Sequence, residues 1–200
     1  MSRLLQHDSL WIRFFTLLGL GTAIFLALWG FSYYLLPEGI LRGKTAASVL
    51  AGEEAAGSLP VEFLRIAFLN MFMLVVIVAA NRIIVIHGFP LGYLPPILLS
   101  ILYAITLGTN SFSIPLPDAM APSFAVLFRS GPYEIAAYML IAAATYKLPT
   151  NIFKRLMPPD STPIEPSPRF SENVNWTGVA LAMLLLMGAN LWEAYQIVSL

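Results

Sequence analysis

The sequence predicts an all-α fold, a polytopic transmembrane helical bundle of about five spans with short surface or re-entrant helices between them. Three observations predict it. Hydrophobic residues make up 58% of the chain and charged residues only 11%, against about 25% charged in a soluble domain. Mean hydropathy is +0.76. Long apolar runs alternate with clusters of glycine and proline. A chain with so little polar surface does not dissolve in water, so residues 1–200 read as one membrane domain.

The same composition narrows the chemistry. There is no cysteine, which removes disulfides, thiolate metal sites and thiol nucleophiles. His7 and His87 are the two histidines, too few for a zinc cluster or a paired-histidine haem site. No metal and no cofactor are expected. Zero net charge and scattered basic residues leave no footprint for nucleic acid.

The first span is expected over 10–36, after a polar start with Arg3, His7 and Asp8. It exceeds the ~7–15 apolar residues of a signal peptide, so it is read as retained. Trp11, Tyr33 and Tyr34 mark its interfaces. Residues 40–60 connect it to the second span, and their Ala-rich middle suits a short surface helix. Ser58 and Pro60 signal the next helix start.

The second span, 61–86, carries Arg65, Asn70, Asn81 and Arg82 around an apolar centre. Arg65 can snorkel to the head groups, whereas an amide at the depth of Asn70 wants a partner on another helix. A turn at 87–92 leads to a third span over 91–108, short enough with its Pro95-Pro96 start to be tilted or partly re-entrant. Prolines interrupt 109–129, where 122–128 suits a short amphipathic helix on the membrane or a lid over a cavity. The fourth span, 132–148, begins at Pro132 and is rich in alanine, which lets helices approach closely. Residues 149–175 form a polar, Pro-rich loop expected to run extended over the surface. The fifth span, 176–198, has Trp176 and Trp192 as anchors and Gly178 with Ala182 as a small-xxx-small pair.

Five spans place the termini on opposite sides. With the N-terminus in the cytoplasm, the inner side holds Arg3, Arg13, Arg82, Lys147, Lys154, Arg155 and Arg169, and the outer side Arg42, Lys44, Arg129 and Arg65. That excess follows the positive-inside rule and gives a multi-pass protein of the cytoplasmic (inner) membrane with its C-terminus outside. The topology puts Glu134, Glu193, Arg65, Arg129 and Asn70 in one outer layer. A carboxylate at that depth is costly unless partnered or hydrated. Glu134 or Glu193 is therefore expected to pair with Arg65 or Arg129, with Asn70 nearby. The two glutamates could also share a proton, but nothing beside them in the sequence suggests a substrate.

These residues also carry a resemblance. Phe68-Leu69-Asn70, the turn His87-Gly88-Phe89-Pro90-Leu91-Gly92, the element Ser130-Gly131-Pro132-Tyr133-Glu134-Ile135-Ala136-Ala137 and the terminal Trp192-Glu193-Ala194-Tyr195 follow one another over 60–195. Their order resembles the SpoIIM family of stage II sporulation M-like membrane proteins. The chain departs from that pattern at His87, where the family turn has asparagine, and at Ser130, where it has histidine. The resemblance implies a non-enzymatic polytopic protein, in sporulating bacteria an anchor for a peptidoglycan-degrading machine. It also makes His87, Gly88, Gly92, Gly131 and Pro132 turn and helix-start positions.

The expected function is a membrane scaffold or complex subunit that meets other membrane subunits, or its own copies, through Ala/Gly-rich helix faces and lipid. The alternative is a permease-like subunit of an ABC-type transporter working with a separate ATPase. Intramembrane catalysis is disfavoured, because no Ser-His-Asp set, aspartate pair or phosphate-cradling glycine loop occurs. The nearly apolar inner halves of spans two, four and five weigh against a permease.

Overall fold

The computed structural model describes residues 2–44, 57–86, 89–155 and 160–199. The surface helix expected in 40–60 falls largely outside the described residues, as do His87 and Gly88 of the turn motif. A short α1 (Ser2–Leu5) precedes α2 (Leu10–Leu35), and α3 (Leu59–Ile83) follows. A 3-10 turn, Leu91–Tyr93, runs into α4 (Leu94–Gly108), and a second, Phe124–Phe128, precedes α5 (Gly131–Ala144). Then come a short α6 (Phe170–Asn173) and α7 (Trp176–Val198). The fold is an all-α bundle with a minor sheet.

Proline sets three of the helix starts. Pro60, Pro95 with Pro96, and Pro132 lie in the first turns of α3, α4 and α5, where the missing N–H costs nothing. Helices α2 and α4 run the same way. The Tyr93 hydroxyl donates to the Leu5 carbonyl (3.0 Å) at one end, and the Ser32 hydroxyl to the Ala104 carbonyl (3.2 Å) at the other. Helix α3 runs opposite to them, with Asn81 beside Gly92 at the end where the chain begins. Helix α5 is antiparallel to α7 and packs most extensively against it, as α2 does against α4. The bundle thus has an N-terminal face and a C-terminal face.

Helix α5 is the centre. Residues 137–144 are all buried, and α2, α3, α4 and α7 pack around them. Its alanines allow this, and so does Gly178 on α7, where a Cβ would lie 3.0 Å from that of Ala144. The expected 148 boundary is not met: α5 stops at Ala144, with Thr145 as its C-cap. Its 14 residues extend about 21 Å, short of ~30 Å of hydrocarbon. The 91–108 segment, expected to be the short one, is instead long enough to cross.

A helix end inside the bundle leaves carbonyls to satisfy. Each of the last four finds a partner. Thr145 N–H and hydroxyl donate to Ile141, Asn81 Nδ2 to Ala142 (2.9 Å), the Arg13 guanidinium to Ala143 (3.0 and 3.2 Å) and Asn175 N–H to Ala144 (3.0 Å). Arg13 also donates to the carbonyls of His7 and Asp8 and stacks on the Tyr146 ring at 3.8 Å.

The sheet was not anticipated. Strands β1 (Ile84–Ile86), β2 (Phe89–Pro90), β3 (Asn151–Arg155) and β4 (Asp160–Pro163) order as β2-β1-β3-β4. The β1–β3 pair is parallel and the other two antiparallel. It ends α3 at Ile83, where the second span was expected to run to residue 86, because β-branched Ile84-Val85-Ile86 favours extended backbone. The bundle supplies the pairing by bringing Thr150 beside Arg82, where its N–H donates to the Arg82 carbonyl (3.0 Å). On the C-terminal face Asn110, in the left-handed region at φ 49°, ties the loops together. Its Nδ2 donates to Glu38 (2.9 Å) and Leu116 (2.8 Å), and its carbonyl accepts from Arg42 (2.6 Å).

Candidate functional site

The site lies in the half of the bundle toward the C-terminal face. Glu62, Ile66 and Asn70 follow one another at i, i+4 spacing along α3 and so share a face. Glu62 is fully buried and bonds Arg65 at 2.7 Å, one turn on. Asn190 and Glu193 share a face of α7 at i, i+3. Glu134 occupies the first turn of α5.

Asn70 joins the three helices. Its Nδ2 donates to Asn190 Oδ1 (2.6 Å) and, more weakly, to Glu134 Oε2 (3.4 Å). The Glu134 carboxyl lies within reach of the Glu193 carboxyl. Gly131 leaves room for the Tyr103 ring of α4, which a Cβ would strike. Two groups stand out: Glu134 Oε1 and Asn190 Nδ2 are buried without a hydrogen-bond partner.

The expected residues therefore meet, but not as expected. Asn70, Glu134 and Glu193 are brought together. Among the described residues neither glutamate has a salt bridge. Arg65 takes the carboxylate of Glu62, because both sit on the same rigid helix one turn apart. Arg129 is held by the turn before it, where its N–H donates to the Val126 carbonyl (3.0 Å), and its side chain is half-buried without an ion pair among the described residues. Pro132 starts α5 and Gly131 seats Tyr103. Gly92 lies at the other face, donating its N–H to Asn81 Oδ1 (2.9 Å), and a Cβ there would come within 2.6 Å of the Ile77 carbonyl.

Sequence reading missed Glu62 and Asn190 as members. Their helical spacing from Asn70 and Glu193 was the available signal. It also placed Arg13 among face charges, whereas Arg13 is buried and caps α5.

Two polar layers result, one at each end of α5. Asn81 follows Asn70 by eleven positions on α3, a rise of about 16 Å. Leu17, Leu74, Ile77, Leu140, Ala182 and Leu186 fill the interval as an apolar septum, all of them buried. Beside it, a groove of about 550 Å³ lies between α2, α4 and α5. The Phe124–Phe128 turn forms part of its wall, and Trp29 Nε1 donates to the Met120 carbonyl (2.7 Å) nearby. The 122–128 segment is thus a wall of the groove as well as an apolar surface, with Phe124, Leu127 and Phe128 exposed.

These features define a multi-pass helical membrane protein, with four helices among the described residues long and apolar enough to span and α5 held among them. No protein-family model, curated protein or solved structure matches the chain.

Proposed function

We propose that this chain is a non-enzymatic membrane scaffold or complex subunit, similar in class to SpoIIM proteins. The observation that carries the reading is the apolar septum. A permease needs a polar path that opens through the bilayer, and here close-packed aliphatic residues separate the two polar layers. The polar groups instead cap and cross-link helices, which suits a rigid part of a larger assembly. The permease-like alternative with a separate ATPase draws on the groove beside the septum, whose lining is almost wholly apolar.

Most alanines of α5, together with Ala182 and Gly178 on α7, are consumed inside the chain. The small-residue face left for a partner is on α2, where Gly19, Ala23 and Ala27 are exposed and Gly30 half-exposed at near-helical spacing. A Cβ at Gly19 or Gly30 would meet nothing within 4 Å. Small-xxx-small faces let helices pack closely in lipid. The excess of basic residues at the N-terminal face supports the reading that this face is cytoplasmic and the membrane an inner one.

The test is purification of the full chain from its native membrane in mild detergent, with the mass and composition of the particle measured. A stable stoichiometric assembly that Ala23→Leu disrupts supports the scaffold role. A lone monomer, or an ATPase at stoichiometric yield, contradicts it.

A further inference from the structure

Helix packing accounts for most of the buried polar groups. Asn70 bridges α3, α5 and α7, Glu62 has Arg65, and Asn81 and Arg13 cap α5. It does not account for Glu134 and Glu193. Their carboxyls lie in reach of one another with no salt bridge among the described residues, and Glu134 Oε1 has neither exposed surface nor donor. An ionised carboxylate only accepts hydrogen bonds, so two ionised carboxylates in contact repel and cannot bond. One proton turns one of them into a donor and supplies the missing partner.

We infer that Glu134 and Glu193 form a membrane-embedded site for a single exchangeable proton, shared between the two carboxyls and supplied from the C-terminal face. The surroundings fit each state. Around the pair stand Glu62 and Arg65 with Asn70 from α3, Tyr103 from α4, Ser130 and Tyr138 beside or within α5, Arg129 from the loop and Asn190 from α7. Arg65 bonds Glu62, and among the described residues neither Glu134 nor Glu193 has a salt bridge, so no cation in contact balances a second negative charge.

Asn190 is the independent sign of a site. It is fully buried, its Oδ1 is engaged by Asn70, and its Nδ2 is an unmet donor in the same layer. That donor is available to the pair once the proton leaves and a second negative charge appears. A metal ion fits less well. Among the described residues no three of His, Cys, Asp or Glu group to hold one, and hard cations need about six oxygen ligands. The entry side follows from the fold. Glu134 is in the first turn of α5 and Glu193 near the end of α7, while the septum closes the route from the other face.

The test is infrared difference spectroscopy on the full chain in lipid nanodiscs, stepping from neutral to alkaline pH in H₂O and D₂O. The expected result is one protonated-carboxyl carbonyl band at neutral pH, shifted in D₂O and lost on the alkaline step. Glu134→Gln and Glu193→Gln should each lack it, since a glutamine amide donates to the remaining carboxylate without a shared proton. Asp118→Asn, at an exposed carboxyl outside the pair, should retain it, and Glu134→Asp should move it. If a glutamine variant does not fold, the Asp118→Asn and Glu134→Asp spectra decide. The proposal is overturned by absence of the band in the wild type, by a band unchanged in Glu134→Asp or lost in Asp118→Asn, or by its removal on adding sodium at constant pH.

Discussion

Asn81→Leu should destabilise the bundle more than any other change of equal volume in α3. Asn81 is fully buried and makes three bonds. Nδ2 donates to the Ala142 carbonyl (2.9 Å) and Thr145 Oγ1 (2.8 Å), and Oδ1 accepts from Gly92 N–H (2.9 Å). The substitution leaves the Ala142 carbonyl and the Gly92 N–H without partners in a place no water reaches. A buried unmet backbone group costs about 1–3 kcal/mol, and side-chain bonds within membrane proteins average ~0.6 kcal/mol each, with a maximum near ~1.7. Two orphaned groups at about 1–3 kcal/mol each and a lost hydroxyl bond of ~0.6 kcal/mol then give a loss of about 3–7 kcal/mol. Reversible unfolding in mixed micelles, followed by circular dichroism, measures it. A variant within about 0.5 kcal/mol of the wild type, the range of an ordinary surface change, would refute the claim that Asn81 caps a helix end in a dry site.

Other consequences are as specific. Gly108→Ala should cost about 1–3 kcal/mol through overpacking, because its Cβ would lie 2.9 Å from Tyr33 N and 3.0 Å from the Trp29 carbonyl, both backbone. Gly21→Ala would clash with the flexible end of Met139 and merely touch Ser100 Oγ at 3.4 Å, so it should cost distinctly less in the same unfolding assay. The Asp8–Lys147 pair at 2.9 Å should make stability depend on pH at both extremes. Hydrogen bonding and charge from Lys147 hold the Asp8 carboxyl below its usual 3.8, so that contribution is present above 3.8 and lost as pH falls through the lower folded value. The same contact raises Lys147 above 10.5, so its contribution is present below 10.5 and lost at higher pH. Asp8→Asn should therefore differ from the wild type, slightly and less in high salt, only between those limits in a pH series of melting curves.

How far the sequence discloses this molecule differs from part to part. Apolar runs and the proline starts at Pro60 and Pro132 are local signals, and α3 and α5 begin near them. The common depth of Asn70, Glu134 and Glu193 was legible too, since alternating spans fix depth from chain position alone. Partner choice was not. Arg65 was expected to reach an acid on another helix, yet Glu62 one turn away is closer in any helical geometry. The short α5 was hidden for a different reason. Its apolar run continues toward Leu148, and hydrophobicity does not say that Asn81, Arg13 and Asn175 arrive to cap the carbonyls of Ala142, Ala143 and Ala144 and end the helix four residues earlier. The β1–β3 pairing was likewise invisible, because it joins residues 67 apart, such as Ile84 and Asn151, that only the packed bundle brings together.

The central claim is that a dry septum separates the two polar layers, and the absence of cysteine makes it directly testable. Single cysteines at Leu74, Ile77 and Leu186, with Asp118 as an exposed control, can be challenged in sealed vesicles with a membrane-impermeant thiol reagent from either side. The account predicts full labelling at 118 from one side and none at 74, 77 or 186 from either. Labelling at the septum positions, from one side or both, would reveal an aqueous path through the bundle and contradict it.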